Sequence, residues 1–280
     1  MPEIRNYHLV TESPVRIISK CRSHSKGTLM SFLAGICIIY VFLNWIPNLL
    51  GLIFPATDLD LMATLNGVDP VAASLNRLPS TPIAVVLYGL VFNGVFRFGE
   101  ALYTLTYIRS RRAEYRAISE AFGLYLKTLS VFVLQVIIVS FWTMLFIIPG
   151  IIAALNFSQA FFILADDPDK GATQVLAESK MMMSGNKMAF LRLLIYYIPY
   201  MMLAYLPVLV VTEFAVKLSV TEPFLTIAGM LCGIPVFIAN GYIALGRTVF
   251  YELILNKSFG NFRYAGQDAF REFETSENSI

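Results

Sequence analysis

From Thr128 to Ala165 the chain runs 38 residues without one Asp, Glu, Lys or Arg, and this run limits the fold more than any other feature. At 1.5 Å per residue, one helix of that length would overshoot a hydrocarbon core about 30 Å thick. The run is therefore expected to double back as two short spans, about 128–148 and 151–165, turning at Pro149-Gly150. A single tilted helix kinked at the proline is the alternative.

Four more apolar segments, about 28–54, 83–108, 188–211 and 224–255, bring the expected number of spans to six. With 57% hydrophobic and 14% charged residues, the side chains cannot give a soluble globule a polar surface. The expected fold is an all-α polytopic membrane bundle, one domain over 1–280, with a leader at 1–27 and a tail at 256–280. The last segment is long, and a break is expected near Gly233-Ile234-Pro235, or a helix projecting beyond the bilayer. Pro199, Pro207 and Pro235 mark either broken helices or simple kinks.

Basic residues orient the spans, because cytoplasmic segments carry the Lys and Arg excess. With both termini inside, the inner segments hold seventeen, among them Arg5, Arg16, Lys20, Arg22, Arg109, Arg111, Arg112, Lys127, Lys170, Lys257, Arg263 and Arg271. The outer segments hold Arg77 and Lys217. Residues 1–26 are polar and show no cleavable signal peptide, and a short amphipathic helix is expected from about Val15 to Cys21. Cys21, Cys37 and Cys232 are too scattered for a disulfide framework.

The stretch "ILADDPD" closes the long apolar run with Asp166, Asp167 and Asp169. These carboxylates are read as an interfacial cap: Asp167 before Pro168 resembles a helix start, and Asp169 complements the positive helix end. A metal or phosphate role is the alternative. The helix that follows, about 17 residues long, is expected to lie along the inner membrane surface between spans four and five. Ala172, Val175, Leu176, Ser179, Met182 and Met183 form its apolar face.

Residues Trp142, Leu145, Ile148, Pro149, Gly150 and Ile151, then Ile163 to Asp166 with Pro168, then Ser179, Lys180, Met183, Gly185 and Lys187, form three spaced motifs. Over about 95–195 the chain resembles the domain-of-unknown-function 975 family of bacterial membrane proteins, and "FYELIL" at 250–255 resembles that family's terminal motif. The chain departs from the family pattern at "YYIPY", after the amphipathic helix. The resemblance implies six spans in a bacterial cytoplasmic (inner) membrane and transfers no activity.

Ionisable residues inside spans are costly, about 2.5–3.5 kcal/mol each near the bilayer centre, and mark the candidate sites. Asn93, Arg97, Glu100 and Thr104 share one helical face of span two, and span six carries Asn240, Arg247, Tyr251 and Glu252. Both spans run inward and share an Asn-Gly-x4-Gly pattern, so Glu100 is expected to pair with Arg247 where glycines admit close packing. The seam is read as mutual neutralisation that fixes packing, as a polar cavity for a solute, or as snorkelling toward the inner surface. Gly229 and Gly233 offer a further small-residue contact, and the "KMMMSGNKM" methionines suit interfacial packing.

His8 and His24 both lie in the leader, and no zinc pair, Ser/His/Asp set, P-loop or dinucleotide fingerprint is present. No catalytic, cofactor or metal residues are assigned; carboxylate-based intramembrane catalysis is the remaining enzymatic alternative. The function expected is that of a non-catalytic accessory or scaffold subunit binding a membrane complex or lipid. A transporter of a small or amphiphilic solute through the seam between spans two and six is the alternative. Expected partners are the bilayer, anionic lipid headgroups at the cytoplasmic face, and a membrane protein or second copy; no nucleic acid is expected.

Overall fold

A computed structural model describes residues 7–54, 82–217 and 222–255. Within them the chain is helical and contains no strand. Residues 55–81, expected as an outer loop, the tail from 256, and Arg5, Arg77, Lys257, Arg263 and Arg271 lie outside the described residues.

Among the described residues, five helices are long and apolar enough to cross a membrane: Leu29–Ile53, Ile83–Ser110, Arg116–Leu145, Ile147–Asp166 and Lys187–Phe214. Before them comes α1 (Pro14–Ser25), longer than the expected Val15–Cys21, which buries Ile17 and Cys21 and packs on the last helix. Burial pushes the Cys21 thiol up to about 12, so it stays protonated and unreactive. Gly27, at φ +85°, turns the chain into the first span.

That span is α2 (Leu29–Tyr40), one π turn (Val41–Trp45) and α3 (Ile46–Ile53). Pro47, in the first turn of α3, has no N–H to return to the preceding turn, and the wider turn absorbs the mismatch. The second span, α4 (Ile83–Ser110), is unbroken and ends where Arg111 adopts a left-handed conformation. The third joins α5 (Arg116–Glu120) through a 3₁₀ turn (Ala121–Leu124) to α6 (Tyr125–Leu145).

The 38-residue run does fold back, but not at Pro149-Gly150. The reversal is at Phe146, whose backbone is extended at φ −155° and ψ 144°. Pro149 and Gly150 lie inside α7 (Ile147–Asn156), where the first-turn proline forfeits no internal hydrogen bond. Gly150 instead permits the close approach of the hairpin arms: a Cβ there would collide with the Thr143 hydroxyl and lie 2.7 Å from Thr143 Cα.

After a short interruption come α8 (Ala160–Asp166) and α9 (Ala172–Met182). The helix after "ILADDPD" thus has 11 residues rather than 17, and Val175, Leu176, Ser179 and Met182 form its buried face. Helix α10 (Lys187–Lys217) continues through Pro199 and Pro207, so neither breaks it. The expected break in the last segment is present: α11 (Glu222–Cys232) stops at Gly233, and α12 (Ile234–Ile254) begins with Pro235 in its first turn. Among the described residues, a Cβ at Gly229 would meet nothing and one at Gly233 would approach its own helix's carbonyls before Tyr40 Oη, so neither position is reserved for a close helix contact.

The packed centre is α4, α8 and α12. Residues Ala160 to Leu164 of α8 are all buried, as are most residues of α4 beyond Gly94 and of α12 beyond Ala244. By contrast α6 buries only Thr128 and Val131, leaving Ile137, Phe141, Trp142 and Met144 exposed. A surface of that kind suits hydrocarbon rather than water. Replacing Gly150 with Ala should destabilise the protein by about 1–3 kcal/mol, because the Thr143 backbone cannot yield. Gly123→Ala, where a Cβ meets nothing, should be near neutral; equal melting temperatures for the two variants in detergent would contradict the hairpin packing.

Candidate functional site

The C-terminal ends of α4, α8 and α12 converge, and each carries an ionisable side chain in its last three residues: Arg109, Asp166 and Glu252. The Arg109 guanidinium donates from Nη1 to Asp166 Oδ1 (2.5 Å) and from Nη2 to Asp166 Oδ2 (3.0 Å). It also donates from Nε to Glu252 Oε1 (2.8 Å), and its Nη2 lies 2.7 Å from the same oxygen. The Tyr251 hydroxyl donates to Asp166 Oδ2 (2.9 Å), and its ring stacks on Phe162 at 5.2 Å. The Glu252 side chain is only 1% exposed, against 22% for Arg109 and 16% for Asp166. A planar fork that serves two carboxylates is a task for arginine rather than lysine.

Above this floor lies the seam. The Thr248 and Thr104 hydroxyls lie 2.8 Å apart, and each also reaches a carbonyl of its own helix, Thr104 that of Glu100 and Thr248 that of Ala244, so one hydroxyl donates across to the other, which donates back to its own helix. Next come Arg97, Glu100 and Arg247, which with Ala101, Thr104, Phe161, Phe162 and Ala244 line a cleft. Its free volume of about 10 Å³ is room for about one water. Exposure falls along the seam: Arg97 is exposed, Glu100 and Arg247 half-buried, and Thr104, Thr248 and Glu252 buried.

Glu100 and Arg247 line the same cleft but form no ion pair, contrary to the sequence expectation. Instead Arg247 lies 6.0 Å over the Phe162 ring, and the paired carboxylate is Glu252, one turn beyond. The glycines explain the difference. Gly94 faces Phe132 of α6, Gly241 faces Leu33 of α2, and Gly246 admits the Tyr197 ring of α10, so α4 and α12 do not meet glycine to glycine. Asn93 and Asn240 are half-buried and lie outside the cleft lining.

The interfacial-cap reading of Asp166, Asp167 and Asp169 is also corrected. Asp166 is committed to Arg109 and Tyr251. Asp167 pairs with Lys170 (3.2 Å), Asp169 is exposed, and α9 starts later, at Gly171, whose N–H is accepted by Gln174 Oε1 (3.1 Å). Burial works against the Lys170 ammonium, but hydrogen bonds to Glu178 (2.7 Å) and Asp167 outweigh it and raise its pKa. Tyr7 also donates to Glu178 (2.8 Å), which draws the leader onto α9.

The anchoring roles of two polar residues, Asn186 and Ser179, escaped the sequence reading. Asn186 is buried and holds the leader from two sides: its Oδ1 accepts the Val10 N–H (2.9 Å) and its Nδ2 donates to His8 O (3.1 Å). Ser179 repairs the interruption between α7 and α8, donating to Asn156 O (2.7 Å) and accepting the Gln159 N–H (3.3 Å). The signal was present in each case, a polar residue on an otherwise apolar or turn-forming stretch. Among the described residues, no group of three or more His, Cys, Asp or Glu is placed to hold a metal ion.

Removing one member of a buried ion cluster leaves an uncompensated charge and costs about 3–5 kcal/mol. Arg109→Met should therefore lower the melting temperature sharply. The triple variant Arg109→Met, Asp166→Asn, Glu252→Gln should recover most of that loss, and a triple variant as unstable as the single would refute the cluster's electrostatic role.

No match was found among curated proteins or among solved structures. Residues 128–258 match the family model described as "Protein of unknown function (DUF975)". The matched region takes in the hairpin of α6 and α7, the Asp166 and Glu252 ends of the ion cluster, and "FYELIL", and begins after the 95–127 segment that the motif resemblance had included. Through residues 128–258 the chain is similar to the DUF975 family.

Proposed function

We propose that this chain is a non-catalytic integral membrane protein of the bacterial inner membrane, an accessory or scaffold subunit that holds a membrane complex or lipid through its helix faces. The observation that carries this reading is the size of the cleft: with about 10 Å³ free between Arg97, Glu100 and Arg247, the polar seam is packed rather than hollow. Its charges serve to hold helices in register, while the broad apolar faces of α6 and α10 are left for partners and lipid.

Six spans with both termini cytoplasmic accompany this reading, with α11 and α12 together as the sixth. The meeting of Arg109, Asp166 and Glu252 supports it, since spans two, four and six must run in the same direction for their C-terminal ends to share one depth. The carboxylates then sit near the inner surface, α9 lies along it, and α1 rests at the same face. In a background without native cysteines, a cysteine at Ser80 should react with an impermeant thiol reagent in intact cells and one at Lys170 should not. The opposite pattern would overturn the topology.

The carrier reading keeps one observation in its favour: Arg97 is exposed near the middle of α4 and makes no ion pair among the described residues. Purification in a mild detergent separates the two. A stoichiometric protein partner or second copy is expected for a scaffold. A lone chain holding a small solute that Arg97→Gln releases would establish the carrier instead.

A further inference from the structure

On the other side of α12, away from the charged cleft, runs a second concavity with about 370 Å³ of free volume, within the range of small-molecule sites. Its walls are α10 from Tyr197 to Pro207 and α12 from Pro235 to Ile243, with Ile18 and Arg22 of α1 closing one end. The lining is apolar except at the tyrosines and Arg22. The hydroxyl of Tyr197 is already spent on Tyr242 O (3.2 Å), and Gly246 lets that ring lie flat against α12 as the floor.

Length and charge together identify an occupant. From Tyr197 to Pro207 the α10 wall rises ten steps, about 15 Å at 1.5 Å per residue, which is half of a hydrocarbon core about 30 Å thick. One leaflet's acyl chain has that reach. Arg22, in the last turn of α1, is exposed and forms no ion pair among the described residues, so a guanidinium stands free where the chain's headgroup would lie. An arginine fork binds a phosphate oxygen pair better than any neutral headgroup.

We propose that this groove binds one acyl chain of an anionic glycerophospholipid of the inner leaflet, with its phosphate on Arg22. The inference rests on the membrane placement proposed above and names the lipid class of that reading. A zwitterionic lipid offers Arg22 the same phosphate but sets a cationic ammonium beside it that opposes the guanidinium, and a soluble anion would leave the groove empty.

The test is native mass spectrometry of the full chain reconstituted in vesicles of mixed phosphatidylglycerol and phosphatidylcholine, then extracted in mild detergent. The expected result is about one phosphatidylglycerol retained per chain. Arg22→Gln should reduce the preference over phosphatidylcholine about fivefold while the melting temperature in detergent stays unchanged. Ala239→Phe, which fills the groove, should remove retained lipid of both kinds. An unchanged preference in Arg22→Gln, or lipid retention that survives Ala239→Phe, would overturn the proposal. Protein partners are scored separately, on the chain purified from its own membrane in mild detergent: a partner retained there with no lipid preference in the vesicles sinks the groove alone, and a lipid preference in the vesicles with neither partner nor second copy from the membrane sinks the protein-scaffold reading alone.

Discussion

The guanidinium of Arg109 joins the end of its own helix to two others that lie 57 and 143 residues further along the chain. Helix α8 shows why the rest of the structure depends on it. At seven residues it is too short to persist by its own backbone bonds, and both of its ends are irregular. Packing buries its middle, Ser179 ties its start to α9, and Arg109 ties its last residue to α4 and α12. Phe162, stacked on Tyr251 and facing Arg247, takes its place from the same anchor. In the low dielectric of a helix bundle such a fork is strong when complete and costly when incomplete, which makes the relative height of the three helices discrete rather than adjustable.

Much of this was legible in the sequence, because the feature that dominates it, long runs without charge, is also the one that decides a membrane fold. The doubling of the 128–165 run, the buried face of α9 and the break before Pro235 follow from length and periodicity. The cluster was missed for a different reason. Arg109 was counted as a loop cation and Asp166 as punctuation, since each stands at the edge of its apolar segment and looks local there. Treated as depths rather than positions, three parallel spans ending in Arg109, Asp166 and Glu252 would have placed all three at one level. The Glu100–Arg247 expectation failed for the complementary reason: shared depth puts two residues at one height, but side-chain direction decides whether they touch.

The leader illustrates what no periodicity can reveal. Residues 7–10 have no helical or strand pattern, yet His8 N–H bonds Ile254 O (2.9 Å), and Asn186 grips the backbone on either side of Leu9. Asn186 follows Gly185, whose left-handed φ of +85° turns its side chain toward that backbone. A Cβ at Gly185 would lie 2.6 Å from Leu9 Cδ2, so the same glycine makes room for the leader it helps to bind. Tertiary hydrogen bonds of this kind leave only a turn signal in the sequence.

The charges along the seam form a second constraint that acts over a longer range than contact. Arg97, Arg247 and Arg109 are balanced by Glu100, Asp166 and Glu252, three against three, so the seam as a whole is neutral although its upper part carries one excess cation and its floor one excess anion. That separation lets Arg97 and Arg247 remain without ion pairs at a tolerable cost, since the excess anion below stabilises both through a medium that screens poorly. Helix α12 is the common wall of the two concavities, turning Tyr242 and Ile243 to the apolar groove and Ala244 and Arg247 to the charged cleft. The packing of the groove and the packing of the cleft therefore bear on one helix, the one that carries Glu252.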